Sequence, residues 1–297
     1  DQAIDVMTEI GTPTSSARFS LADLAIRAGE LDRADEIAGE IEHAPFRLMI
    51  QARVAQDRDE HERAMALYAE AGRLWPDNEF ARYHAARSAE QLGRFDEAIE
   101  LYRHATRVSV STTNAMTRIA ILVYAAGNPG EAYNVLRTQR SRAPLGDLGE
   151  LLRMELLVLI DGDGQVPTLL STLPRTDTLG AAARLAPAFR ALRLRGEPGK
   201  ALMLASRADP RVFAERGGDL ALDELLRTVG ADAAAVERVA SMLDASLTVR
   251  PDAAGLLAVQ ASLLEREGAA PGEVDAVLAA AVASDGEDPL ALLGRAR

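Results

Sequence analysis

The chain has 297 residues, is 48 % hydrophobic but only 4 % aromatic, carries a net charge of −12 and contains no cysteine. That length suffices to bury a large apolar surface, and the abundance of Ala and Leu with few aromatics favours close-packed helices over sheets. The acidic balance repels phosphate backbones and speaks against nucleic acid as a partner. The missing thiols exclude disulfides, thiolate metal sites and cysteine nucleophiles.

No run of about 18 apolar residues exists, so direct membrane insertion is not expected, and no signal peptide is visible. A chain that begins at Asp1 lacks an initiator methionine, which predicts that a leader or a longer N-terminal region has been removed. Lys200 is the only lysine, so the cations are almost all arginine. A biased genome composition accounts for this most simply, ahead of any preference for forked guanidinium contacts.

Residues 1–14 include apolar Ala3, Ile4, Val6, Met7 and Ile10. They read as a cap or as the second helix of a preceding unit. From Ser15 a pattern recurs. Residues 15–44 place Gly29, Leu31 and Ala34 in register, with a shortened end. Residues 45–78 carry one helical stripe at Leu48, Gln51, Ala52 and Ala55, a polar break at 57–62, and a second stripe at Ala64, Leu67, Tyr68, Ala71 and Leu74. That spacing predicts two helices with buried faces. Trp75-Pro76-Asp77-Asn78 then forces a turn, because proline lacks a donor and biases the preceding residue away from helix.

Residues 79–112 repeat this with Gly93, Ala98, Tyr102 and Ala105, and residues 113–146 with Ala120, Ala132 and Pro144. From Ala64 to Ala98, Ala98 to Ala132 and Ala132 to Val166 the step is 34 residues each time. Self-similarity at this period marks a stack of small identical units. Residues 147–181 keep Val166, Leu170 and Leu173; residues 182–215 have Gly196, Ala201, Ala205 and Ala208. After an inserted Arg216-Gly217-Gly218-Asp219, residues 220–253 carry Val239, Leu243 and Pro251, and residues 254–288 follow with Val274. Prolines 129, 198 and 271 each follow a tight turn and preset the start of a second helix. Residues 289–297, with Leu290, Ala291, Leu292 and Leu293, begin a further helix and predict either a truncated array or an end that self-associates.

These units resemble the tetratricopeptide repeat, a helix–turn–helix with small residues at its eighth and twentieth positions and proline near its thirty-second. Ala52, Ala64 and Pro76 fill those positions in one unit, Ala86 and Ala98 the first two in the next, and Ala120, Ala132 and Pro144 all three in the third. The resemblance covers residues 15–288, most strongly 45–146. It implies an all-α, right-handed superhelical solenoid of stacked helical hairpins. The chain is expected to be a soluble bacterial protein without a cofactor, its compartment left open between cytoplasm and periplasm.

By the same resemblance, ligands lie in a concave groove lined by first helices. Two adjacent units place Phe46, Met49 and Arg53 beside Phe80, Tyr83 and Arg87, with Arg118 nearby. An apolar strip flanked by arginines suits a peptide with hydrophobic anchors and acidic side chains. The same residues also suit packing between neighbouring first helices, with Arg53 and Arg87 paired to Asp57, Glu90 or Glu79. The chaperone-tail clamp of this family needs lysine and asparagines where this chain has Met49, Tyr83, Arg53 and Arg87, so that clamp is absent.

Histidines 43, 61, 84 and 104 fall in different units without a partner at i+4, and His84 reads as a solvated surface residue. Asp161-Gly162-Asp163-Gly164 resembles the start of a calcium loop but lacks the later acidic ligands and reads as a turn. No phosphate loop, nucleophile elbow or zinc signature is present. The expected function is a non-catalytic interaction scaffold. The alternative is a docking or regulatory segment of a larger enzyme or of a bacterial polysaccharide export or secretion machine. A homo-oligomer formed through exposed ends is a third option.

Overall fold

The computed structural model describes residues 14–109, 113–161, 182–208 and 210–295. The expectations for residues 1–10, for Val166, Leu170 and Leu173, and for Gly162-Asp163-Gly164 fall outside these residues. The chain divides into two compact units, residues 1–145 and 146–297. The first contains α1 (Ser15–Arg27), α2 (Leu31–Gly39), α3 (Ala44–Asp57), α4 (His61–Leu74), α5 (Glu79–Gln91), α6 (Phe95–Val108), α7 (Ala115–Ala125) and α8 (Pro129–Arg140). The second contains α9 (Gly146–Asp161), α10 (Leu185–Leu194), α11 (Pro198–Arg207), α12 (Gly218–Val229), α13 (Ala233–Val249), α14 (Ala254–Glu267), α15 (Pro271–Ser284) and α16 (Pro289–Arg295). Among the described residues there is no strand.

Six of the hairpin turns are built alike around one left-handed position, whereas the turn from α12 to α13 departs, Gly230 taking φ 61° and ψ −132°. Gly93 has φ 71° and ends α5 in the left-handed region, where a side chain is disfavoured. The Arg94 N–H then reaches back to the carbonyl of Ala89, 2.9 Å away. The same bond recurs at Glu30 to Ala25, Glu60 to Ala55, Asn128 to Val123, Glu197 to Leu192 and Ala269 to Leu264, at 2.9–3.1 Å. In the second hairpin Asp59 takes the glycine position at φ 60°. After the turn Pro129, Pro198 and Pro271 sit in the first turns of α8, α11 and α15, where their missing N–H costs nothing.

The recurring small residues lie where helices cross. Ala34, Ala64, Ala98, Ala132, Ala201 and Val239 are all fully buried, as are Ala52, Ala86 and Ala120 on the facing helices. With methyl groups at both crossing points the backbones approach closely, and larger side chains would overpack by about 1–3 kcal/mol. Tyr68 and Tyr102 fill the space one turn further along α4 and α6 and are buried completely. Leu74 departs from the expected stripe. It ends α4 and is exposed.

Within residues 216–219 the two glycines have a steric reason. Gly217 adopts φ 86°, and a Cβ on Gly218 would stand 1.9 Å from the backbone oxygen of Phe213. Only glycine lets the short 3-10 turn Pro210–Ala214 fold directly onto the start of α12.

Within the first unit the odd-numbered helices lie side by side and are joined by polar side chains. Asp23 on α1 accepts from Arg53 on α3 at 3.1 Å. Gln56 on α3 donates to Ser88 on α5 at 3.1 Å, and Glu90 on α5 accepts from Arg118 on α7. In the second unit Glu155 on α9 pairs with Arg190 on α10 at 3.4 Å, and Arg193 with Glu224 on α12 at 2.9 Å.

Candidate functional site

The candidate groove residues belong to the first unit, on α3, α5 and α7. Their fates divide. Met49 is buried in the core with Ala52 and Ala81. Phe46 is half-buried, its ring 4.3 Å from His43, 5.1 Å from Phe19 and 5.7 Å from Trp75. Tyr83 is half-buried and donates its hydroxyl to Asn114 at 2.6 Å. Phe80 remains open to solvent at 43 % exposure.

The three arginines are not equivalent. Arg53 is bonded to Asp23, a residue of the preceding first helix rather than Asp57 or Glu79. Arg118 clasps the buried carboxylate of Glu90 with both arms, Nε to Oε1 at 3.2 Å and Nη2 to Oε2. Arg87 forms a looser ion pair with the same carboxylate, as the pairing alternative expected, its Nε 3.9 Å from Oε2 and beyond hydrogen-bond distance.

Arg87 lines a cleft of about 460 Å³ formed by the end of α3, the turn into α4 and the outer half of α5. Arg53, Gln56, His61, His84 and Gln91 share it. Gln56 is fixed from three sides, donating to Ser88 and to the backbone of His84 at 3.4 Å while accepting from the Tyr68 hydroxyl at 3.2 Å. Burial raises the phenol of Tyr68 above its ordinary range, so it stays a neutral donor.

His84 is the clearest departure from the sequence reading. Its ring is half-buried, stacked on Tyr68 at 5.6 Å and edge-on to Tyr83 at 5.3 Å. Desolvation lowers its pKa to about 4, and the positive charges of Arg53 and Arg87 push the same way. It is a neutral wall of the cleft at pH 7. His61 was invisible as a site residue because it opens a second helix. The three-residue turn after α3 brings it against a first-helix surface, and no spacing rule within one helix reports that.

A second cavity, of about 980 Å³, lies in the other unit, lined by Asp219, Leu220, Arg250, Asp252, Asp285 and Asp288 among others. Burial and the neighbouring Asp288 raise the pKa of Asp219. Among the described residues no group of His, Cys, Asp and Glu is arranged to hold a metal ion, and no helix is long and apolar enough to cross a membrane.

Hairpins of which six share one turn geometry, small residues at their crossings and cross-bonded first helices define an all-α repeat protein built from tetratricopeptide-like hairpins. Comparison with solved structures finds similarity to a chain of the APC/C hetero-tetramer Cut9–Hcn1. The identity is 14 %, the TM-score 0.48, and the match covers 99 % of this chain and 51 % of that one. This chain thus spans about half the length of that protein. YrrB, described as a TPR protein with an unusual peptide-binding site, is similar at 14 % identity and TM-score 0.34, over 90 % of this chain and 98 % of its own. No protein-family model matches the chain, and no curated protein sequence matches it.

Proposed function

We propose that the chain is a non-catalytic interaction scaffold whose α3–α5 face binds a segment of another protein with apolar and acidic side chains. The observation that carries this reading is the cleft beside α5, where Arg87, partly exposed and only loosely paired to Glu90, lies on the same helical stripe as the exposed ring of Phe80. A stripe with an apolar anchor point at one end and a guanidinium at the other recognises a segment through both features. Because the first helices are already cross-bonded by Asp23–Arg53, Gln56–Ser88 and Glu90–Arg118, the surface is preformed and little ordering opposes binding.

Screening the full chain against a displayed peptide library tests the reading. The selected peptides are expected to combine an apolar residue with an acidic one. The Phe80→Ala/Arg87→Glu double variant should lose them while keeping its helicity. Equal capture by that variant, or no enrichment by the unaltered chain, would overturn the reading. Arg53 is a poor choice for this test, since replacing it also breaks the Asp23 bond that joins α1 to α3.

A further inference from the structure

Phe46 and Phe80 are the second residues of consecutive repeats, 34 positions apart, yet their surroundings differ. Phe46 is half-buried, with the Trp75 ring 5.7 Å away at a tilt of 53° and the His43 ring at 4.3 Å. Phe80 is 43 % exposed, and among the described residues no aromatic ring lies against it.

The cause is a change of residue at one backbone place. Trp75 and Ser109 are 34 positions apart, and each directly follows the last residue of a second helix. Each donates its N–H back four residues, Trp75 to Ala71 at 2.8 Å and Ser109 to Ala105 at 3.2 Å. His43 and Asp77 are related by the same interval, each ahead of the first helix of its hairpin. One hairpin therefore covers its phenylalanine with an indole and an imidazole, and the next offers a hydroxymethyl and a carboxylate. A lone exposed phenylalanine would say little. The same place filled by a ring one hairpin earlier shows what shape covers it.

We propose that the surface over Phe80, beside Ser109, takes one aromatic side chain of the bound segment, in the place that the Trp75 indole holds on Phe46. A tilted pair at that separation lets the edge of one ring meet the face of the other, which adds to the gain from burial alone. The Trp75 indole is itself 40 % exposed, so the equivalent place is wet on its outer side. That suits an indole or a phenol, which buries an apolar face and keeps its polar atom in water, better than a branched aliphatic side chain. This ring site rests on the reading of the α3–α5 face as a protein-binding surface, and it narrows the apolar anchor of that reading to an aromatic one.

Two measurements on the full chain test it. Ser109→Trp supplies the ring from within. It should raise the melting temperature of the first unit by about 2–4 °C, and the gain should vanish in the Phe80→Ala background. Peptides selected from a displayed library are expected to carry Trp, Tyr or Phe at one shared position. Ser109→Trp should weaken their capture about tenfold, whereas Ser109→Ala should leave it unchanged. Leu or Ile at that position, capture unaffected by Ser109→Trp, no melting gain, or a gain that survives Phe80→Ala would overturn the ring site and leave the protein-binding reading in place. No enrichment of any peptide would sink that reading, and the ring site with it. Self-association in light scattering that Phe80→Ala abolishes would assign the place to a second copy of the chain and overturn the proposal too.

Discussion

Arg118 reaches from α7 to grip both oxygens of Glu90 on α5, a carboxylate buried to 5 % exposure. The pair joins two consecutive first helices and lies over the buried hydroxyl of Tyr102, whose pKa is raised by burial first and by Glu90 second. Breaking it from either side is expected to be unequal. Arg118→Met leaves the buried carboxylate only the looser pairing to Arg87 and should cost about 2–3 kcal/mol, whereas Glu90→Gln leaves a guanidinium that still reaches water and should cost about 1 kcal/mol. Urea denaturation of both variants measures the difference, and equal losses would show that the pair is solvated.

His84 makes stability depend on pH. Its native pKa of about 4 lies below the ordinary 6.5, so the unfolded chain binds a proton that the native one refuses. Stability contributed by the neutral ring is complete above pH 6.5 and falls as the pH drops towards 4, by at most about 3 kcal/mol. Denaturation from pH 7 to pH 4 should therefore show a decline in the unaltered chain that is shallower in His84→Gln. Parallel curves would place the ring in solvent.

Asp59 occupies with φ 60° the turn position that Gly93 fills with φ 71° in the next hairpin. Asp59→Gly relieves a left-handed side-chain residue and should raise stability by about 1 kcal/mol, while Gly93→Ala should lower it by a similar amount. Thermal melts of the two variants should move in opposite directions.

Glycines elsewhere separate by what surrounds them. A methyl on Gly218 meets the Phe213 carbonyl at 1.9 Å, whereas one on Gly130, inside α8, meets nothing within 4 Å. Gly218→Ala should destabilise the second unit by about 3 kcal/mol or more, and Gly130→Ala should stabilise the first by about 0.5–1 kcal/mol. Calorimetry that resolves the transitions checks both signs.

The repeat was legible because its determinants are local. Gly93, Ala98 and Pro129 act through their own backbone freedom, size and fixed φ, and a helix period brings Ala64, Tyr68 and Ala71 to one face without reference to the rest of the chain. The insertion at 216–219 was visible as two glycines, but the carbonyl of Phe213 that requires one of them was not.

The site was legible only in part. Sequence placed Arg53, Arg87 and Arg118 on one surface as three like charges, and nothing within a single helix distinguishes them. Which guanidinium is satisfied depends on carboxylates 28 and 30 residues away: Glu90 faces Arg118, and Asp23 faces Arg53. His61 and His84 lie 23 positions apart on different helices, yet share one cleft.

Alone, the sequence determined the hairpin, its period and its crossing residues, because propensity, turn chemistry and side-chain volume act over a few neighbouring positions. Packing of one first helix against the next decided which charges cancel, which histidine stays neutral and which arginine is only loosely paired beside an open cleft. Hydrogen bonding and desolvation depend on the atoms within a few ångströms, and those atoms come from separate hairpins.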